Sequence, residues 1–132
     1  YAYVFMTNHV HLLFRSIDND PSGLIRDLKG FTSRKLLQVI KENPKESRKD
    51  NLLKLFGDAG AKNSNLTNYQ LWQQNNQPIE VYSTWVLEQK VNYIHNNPVK
   101  AGFVTNPADW KYSSARNYDG DQSVLEIDLL GG

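Results

Sequence analysis

Two histidines near the start of the chain, in the string His9-Val10-His11, are the first residues whose types and spacing suit metal chemistry. In a β-strand, side chains two residues apart point to the same face, about 6.6 Å apart along the chain. Two imidazoles in that arrangement can bind one divalent metal ion, with Val10 on the opposite face. Strand histidines that are half-exposed and bind nothing give the same string, so the string alone leaves both interpretations open.

A second set of polar residues, Lys90, Tyr93 and Asn97, is spaced by three and four residues and therefore shares one face of a predicted helix. A tyrosine one turn from a lysine can act as a nucleophile, because positive charge favours the phenolate. The Asn97 amide oxygen is a suitable ligand for Mg²⁺ or Mn²⁺. A packing role for Tyr93 and a helix C-cap role for Asn97 remain the alternatives. His95 lies about 200° around the helix from Tyr93 and is not assigned to the same site.

The histidine pair must be positioned by strands, and the sequence predicts two of them, from Tyr1 to Met6 and from His9 to Ser16. Thr7-Asn8 between them has the length of a tight hairpin loop. The apolar residues of one parity predict a core face, and they are Val4, Met6, Val10, Leu12 and Phe14. His9 and His11 are therefore expected on the other face of the sheet.

Start and stop signals predict two well-marked helices. The first begins at Asp20-Pro21, where aspartate is a good N-cap and proline a good first residue, and it ends at Asn43. The helix that carries the tyrosine begins after Ser83 and runs to about Asn96. Pro98 is expected to end it, because proline disfavours the α conformation in the preceding residue.

The segment between these helices is less regular in sequence. It predicts a helix from about Lys45 to Phe56 that closes at Gly57, then a small polar loop over residues 58–68. Two short strands are expected beyond it, Tyr69 to Gln73 and Ile79 to Tyr82. Together these elements predict an α+β fold.

Composition bounds the class of protein. The 132 residues suit one domain and contain no cysteine, which excludes disulfides, thiolate zinc sites and a cysteine nucleophile. The longest apolar stretches are far too short to span a membrane, and we expect a cytoplasmic protein. The chain opens at Tyr1, inside a predicted strand and without a methionine, so the single domain (residues 1–132) is expected to be truncated at its N-terminus.

Positive charge is concentrated in one part of the chain. Residues 26–54 contain nine Lys or Arg and four Asp or Glu, whereas the rest contains six and ten. This pattern predicts a local surface that binds an anionic partner such as nucleic acid. An ordinary solvated helix face remains the alternative.

Two strings, Met6 to Leu13 (MTNHVHLL) and Val91 to Gly102 (VNYIHNNPVKAG), resemble the single-tyrosine HUH transposases, and most closely the REP-associated tyrosine transposases. Three further blocks appear in family order. They are Lys29 to Ser33 (KGFTS), Leu71 to Gln73 (LWQ) and Pro107 to Ser114 (PADWKYSS).

The resemblance implies a ferredoxin-like antiparallel sheet with helices packed on one face. It implies that His9 and His11 bind Mg²⁺ or Mn²⁺ together with Asn97, and that Tyr93 attacks DNA to form a 5′-phosphotyrosine. The implied protein is a bacterial, nucleoid-associated transposase that cleaves and rejoins single-stranded DNA near a hairpin, as a monomer or a homodimer. A Rep- or relaxase-like nicking enzyme and an inactive transposase-derived DNA-binding protein are the alternatives.

Within this interpretation, the basic segment is expected to contact DNA phosphates, and an aromatic side chain is expected to stack on unpaired bases. The predicted DNA-contacting residues are Arg26, Lys29, Arg34, Lys35, Trp72 and Lys90.

Overall fold

The computed structural model describes residues 1–63 and 68–131 and has an α+β fold, as predicted. The described part of the chain contains two strands, β1 (Ala2–Phe5) and β2 (Val10–Leu13), and four helices. The helices are α1 (Pro21–Glu42), α2 (Lys49–Ala61), α3 (Thr84–Lys100) and α4 (Ala115–Tyr118), with a 3₁₀ turn at Pro107–Asp109. The chain forms two compact units, residues 16–78 and the segments 1–15 and 79–132.

The sheet of the second unit has a register that corrects the predicted core face. β1 and β2 pair antiparallel with Val4 opposite His11 and Phe5 opposite Val10. Directly opposed residues share a face, so even-numbered residues of β1 lie beside odd-numbered residues of β2. His11 therefore lies on the face of Val4, which is fully buried, whereas Val10 and Leu12 lie on the other face. The prediction assumed that even-numbered residues of both strands share one face. In this register each residue of β1 faces a residue of the opposite parity in β2, so that assumption was wrong.

The core of this unit joins the sheet to α3. Ala2 and Val4 of β1 pack with Val91 and Ile94 of α3, and all four are almost completely buried. Burying each larger aliphatic side chain contributes about 1.5–3 kcal/mol. This contact holds α3 against the face of the sheet that carries His11.

Helix α3 begins as predicted and ends later than predicted. Ser83 caps it by accepting a hydrogen bond from the Val86 amide, and Pro98 lies inside its last turn. The helix ends in a Schellman motif, in which Gly102 at φ +79° donates to the Val99 carbonyl and Phe103 donates to the Pro98 carbonyl. Pro98 lacks the N–H that would donate to the Ile94 carbonyl, and the helix nevertheless continues for two residues into the Schellman motif.

Helix α1 of the other unit matches its prediction. The Asp20 carboxylate accepts from the Gly23 amide at 2.8 Å, and the helix ends at Glu42 with Asn43 as its C-cap.

Helix α2 runs past the predicted stop at Gly57 to Ala61, so part of the predicted loop is helical. Residues 64–67 of that loop lie outside the described residues. Gly60 is needed for packing, since a Cβ there would lie 2.6 Å from the Asn68 carbonyl oxygen.

The two short strands predicted after α2 are absent from the described residues 68–82. Hydrogen bonds of the first segment go to helices instead of a strand partner. Gln70 donates to the Phe56 carbonyl, and the Gln73 carbonyl accepts from Lys29. None of the helices in residues 1–63 and 68–131 has the length and apolar character needed to cross a membrane.

Candidate active site

The hairpin brings the two histidine rings together on the side of the sheet where α3 packs. Their ring centroids lie 5.0 Å apart in an edge-to-face arrangement. The His11 ring also meets the Tyr93 ring of α3, at 5.4 Å between centroids. Tyr93 is 46% exposed, so its phenol is accessible to a large substrate. The site thus joins two imidazoles and a phenol from elements that are far apart in sequence.

Asn97 lies one turn after Tyr93, and its side chain has two contacts. Its Nδ2 donates to the Tyr93 carbonyl oxygen at 3.0 Å, back along the helix. The side chain also hydrogen-bonds to His11. The amide oxygen takes no part in the hydrogen bond to the Tyr93 carbonyl, so it is free to accept a hydrogen bond or to bind a metal ion. Asn97 is therefore part of the histidine cluster and not a C-cap.

The surroundings of His11 favour the neutral ring, which can donate an electron pair. Burial lowers the pKa of His11, the neighbouring His9 lowers it further, and the hydrogen bond with Asn97 raises it in part. His11 is therefore neutral at pH 7. The His9 Nδ1 lies 2.6 Å from the Asn8 side-chain oxygen, which can only accept a hydrogen bond. In the neutral tautomer that donates through Nδ1, the Nε2 atom keeps its lone pair for a metal ion.

A lysine that was not predicted from the sequence lies over the nucleophile candidate. The Lys100 ammonium is 5.2 Å from the centroid of the Tyr93 ring. Lys100 follows Tyr93 by seven residues, which is two helical turns on the same face. The predicted helix stopped before Pro98, so this face was not extended to Lys100. Lys90, the lysine expected beside Tyr93, lies on the same helix but is not the cation over the ring.

Residues 1–55 match the family model described as transposase IS200-like. The matched stretch contains His9, His11 and all of α1, and it ends before Tyr93. No curated protein and no solved structure matches the chain. The chain is thus similar to this family over its first part, where the histidine hairpin lies.

The donor atoms of this cluster suit a divalent metal ion. No cluster of three or more His, Cys, Asp or Glu side chains occurs among the described residues. A site at His9 and His11 would therefore take its third ligand from Asn97, whose amide oxygen takes no part in the hydrogen bond to the Tyr93 carbonyl. Two imidazoles and an amide oxygen fit a divalent ion and leave positions for substrate oxygens.

His95 belongs to the opposite face of α3, as its position around the helix predicts. It is buried, and its Nε2 lies 2.8 Å from the Ser114 hydroxyl oxygen. That hydroxyl accepts from the Tyr3 amide at 2.9 Å, so the contact ties α3 to β1. Burial lowers the pKa of His95, and Asp119 partly offsets this.

Three of the basic residues predicted to bind DNA on α1, Arg26, Arg34 and Lys35, are exposed, and the fourth, Lys29, is half-buried. Arg26 pairs with the adjacent Asp27 at 3.1 Å, and Lys29 donates to the Gln73 carbonyl oxygen at 2.8 Å. Arg34 and Lys35 are solvent-exposed. These side chains give the helix a charged surface that is open to solvent.

Trp72 lies beside α1 and is half-buried, whereas the base-stacking role predicted from the sequence requires an exposed ring. Its indole N–H donates to the Thr32 hydroxyl at 2.8 Å, which fixes the ring against the helix. Only part of the ring is available for stacking on a base.

Proposed function

We propose that this chain is a transposase-type endonuclease and strand transferase that acts on single-stranded DNA near a hairpin, with Tyr93 as its nucleophile and a divalent metal ion as its cofactor. The observation that carries the proposal is the pair of ring contacts made by His11, with His9 at 5.0 Å and Tyr93 at 5.4 Å. The match of residues 1–55 to IS200-like transposases supports a transposase function for the same hairpin.

In this proposal His9 and His11 hold the metal ion through their imidazole nitrogens, and Asn97 holds it through its amide oxygen. When bound, Mg²⁺ or Mn²⁺ polarises the oxygens of the scissile phosphate. The contact between His9 Nδ1 and the Asn8 side-chain oxygen orients the first imidazole, as outer partners of metal-binding histidines do.

The covalent step belongs to Tyr93. Its phenolic oxygen attacks the phosphorus and loses its proton, the bond from phosphorus to the 3′-oxygen breaks, and the 3′-oxygen takes up a proton. The product is a 5′-phosphotyrosine that keeps the energy of the phosphodiester for rejoining. The Lys100 ammonium over the ring stabilises the negative charge that develops on the phenol as its proton leaves.

The DNA partner is bound largely through its phosphates. The exposed cations of α1 and Lys90 supply positive charge, which gives affinity without reading sequence. Trp72 offers the exposed part of its ring to an unpaired base. The residues proposed for DNA contact are Arg26, Lys29, Arg34, Lys35, Lys90 and Trp72.

The test is the formation of a covalent adduct between the protein and a labelled hairpin oligonucleotide with single-stranded flanks, in the presence of Mn²⁺. Tyr93→Phe should abolish the adduct and leave DNA binding and thermal stability unchanged. Tyr112→Phe is a closely matched control, because Tyr112 is 49% exposed and also has a lysine ammonium, that of Lys111, over its ring at 5.7 Å. Tyr112→Phe should form the adduct normally.

An adduct that persists in Tyr93→Phe would contradict the assignment of the nucleophile. Tight hairpin binding by the wild-type protein with no adduct at any metal concentration would favour the inactive DNA-binding alternative.

A further inference from the structure

An aromatic pair beyond the end of α3 has no part in the reaction proposed above. The rings of Phe103 and Trp110 are stacked, with centroids 5.2 Å apart and planes inclined by 29°. Phe103 is 50% exposed, whereas Trp110 is half-buried and packs against the core cluster. A flat ring is thus supported from behind by a second ring and presented to solvent.

Hydrogen bonds fix the Trp110 ring and the backbone at Phe103, and the Phe103 ring is held by its stacking on Trp110. The Trp110 indole N–H donates to the Phe5 carbonyl oxygen at 2.9 Å, which ties it to the end of β1. The Phe103 amide donates to the Pro98 carbonyl oxygen at 2.9 Å, as part of the Schellman motif. A side chain that is already fixed loses little conformational entropy when a ligand packs on it.

The surface around Phe103 forms a shallow, open depression that combines apolar and polar groups. An open cavity of about 620 Å³ is lined by Val99, Gly102, Phe103, Val104, Thr105 and Asp109. Gly102 leaves its side of the cavity open, because no atom lies within 4 Å of where its Cβ would be. Thr105 and Asp109, which line the same depression, carry side chains that can form hydrogen bonds. A flat apolar contact with polar groups at its edge suits a nucleobase, which has a π-face and polar edges.

The pair is attached to the same two elements that hold the candidate active site. Phe103 follows Lys100, which lies over the Tyr93 ring, by three residues. On the sheet side, Trp110 bonds to Phe5, and the next residue, Met6, donates to the His9 carbonyl oxygen at 2.9 Å. Tyr93 and Lys100 are seven residues apart in α3, which is about 10 Å along the helix axis, and Phe103 follows directly after the end of the helix.

We propose that Phe103, supported by Trp110, is a stacking platform for one unpaired nucleobase of the single-stranded DNA substrate, with Thr105 and Asp109 at the edge of the base. This inference rests on the proposed function. Lys100 and Lys111, which flank the platform in sequence, supply positive charge for the phosphates on either side of the stacked base. A nucleobase is favoured over a protein partner because the platform presents one ring and not an extended apolar face.

The experiment is a double-mutant cycle between the protein and the DNA, measured by binding. The protein carries Tyr93→Phe in Mn²⁺ buffer, so that binding is observed without cleavage. The probe is a DNA hairpin with single-stranded thymidine flanks, in which one nucleotide at a time is made abasic. With Phe103 present, one abasic position should weaken binding roughly tenfold, the usual cost of losing one stacked base.

That cost should disappear when Phe103 is replaced. Phe103→Ala and Phe103→Leu should each bind the intact probe about as weakly as the protein that retains Phe103 binds the abasic probe. Phe103→Trp should keep the full loss of affinity at the abasic position. Phe31→Ala is the matched control, because Phe31 is 57% exposed and lies on α1. It should leave the abasic penalty unchanged. Equal melting temperatures establish that the variants are folded, and Phe103→Leu retains most of the apolar volume.

The platform is refuted if each abasic nucleotide weakens binding by the same factor whether Phe103 is kept or is replaced by Ala or Leu. It is also refuted if the probe does not bind. Failure of the proposed function gives a different result. If one nucleotide is coupled to Phe103 but the protein with Tyr93 forms no adduct, the platform is supported and the proposed chemistry is refuted. If the adduct forms but no nucleotide is coupled to Phe103, only the platform is refuted.

Discussion

Helices α1 and α3 both carry polar residues proposed for function, but they hold them in different ways. On α3, Tyr93, Asn97 and Lys100 each contact another residue of the site, and the buried side of the helix is fixed to β1. On α1, Arg26 pairs with its neighbour in sequence, and Arg34 is simply exposed. The difference separates two kinds of recognition. Chemistry needs groups held at fixed distances, whereas attraction of phosphates needs only a sufficient local charge.

The largest expected effect concerns the histidine pair. His9→Ala with His11→Ala should remove cleavage, and excess chelator should do the same to the wild-type protein until Mn²⁺ or Mg²⁺ is restored. The unfolding free energy should change by less than about 1 kcal/mol, because His9 is exposed and His11 only half-buried. Asn97→Ala should be milder, roughly tenfold in rate, since water can replace one ligand.

A readout besides activity sharpens this prediction. A bound ion stabilises the folded state by mass action, so Mn²⁺ should raise the melting temperature of the wild-type protein and leave that of the double variant unchanged. Cleavage that continues in excess chelator, or an equal Mn²⁺ shift in both proteins, would mean that His9 and His11 hold no metal ion.

A smaller effect is expected at the lysine over the nucleophile. Lys100→Ala should slow adduct formation about five- to tenfold, in keeping with the energy of a cation over an aromatic ring. At saturating DNA, Lys90→Ala on the same helix should change the rate less than twofold, and Lys100→Arg should retain most of the wild-type rate. A larger loss from Lys90→Ala than from Lys100→Ala would show that the wrong lysine has been assigned.

These residues also mark how far the sequence alone could lead. The cap at Asp20, the start of α3 at Ser83 and the separation of His95 from Tyr93 all follow from local rules, and the structure agrees with each. Such features depend on residues within a turn or two of each other, where spacing and side-chain chemistry suffice.

Three features could not be obtained that way. The face of β2 that carries His11 depends on the pairing register, which is set by contacts across the hairpin and not by alternation within one strand. The passage of α3 through Pro98 depends on the Schellman hydrogen bonds at Gly102. Lys100 was missed because the predicted helix ended before Pro98, and Lys100 shares a face with Tyr93 only when the helix continues past that residue.

The buried face of α3 predicts a dependence of stability on pH. Burial lowers the pKa of His95 in the folded protein below the ordinary 6.5, so below that pH the unfolded chain binds more protons. The unfolding free energy should be highest above pH 6.5 and should fall as the pH decreases toward the folded pKa. His95→Gln should cost about 1 kcal/mol at pH 8 for a disturbed hydrogen bond, with a flatter pH dependence below 6.5.

Urea unfolding from pH 8 to pH 5 in chelator checks this. His11 also contributes a fall in the same direction, so the quantity to compare is the difference between wild type and His95→Gln at each pH. Parallel curves for the two proteins would mean that His95 does not titrate with a lowered pKa. Adduct formation at pH 8 should persist in His95→Gln, because His95 lies away from the Tyr93 face.

The smallest expected effects belong to α1. If its cations act as a diffuse field, each neutralised phosphate contact contributes about equally to the dependence of hairpin binding on salt. Arg26→Ala with Lys29→Ala should therefore weaken all hairpins alike and flatten the slope of log K against log salt by roughly one to two units. Arg34→Ala with Lys35→Ala removes the same charge from exposed positions of the same helix and should flatten the slope by a similar amount. The contrast with α3 would be wrong if only one of the two double variants lost much affinity, or if either changed which hairpin is preferred. Either result would mean that α1 also holds its charges in a fixed and selective arrangement.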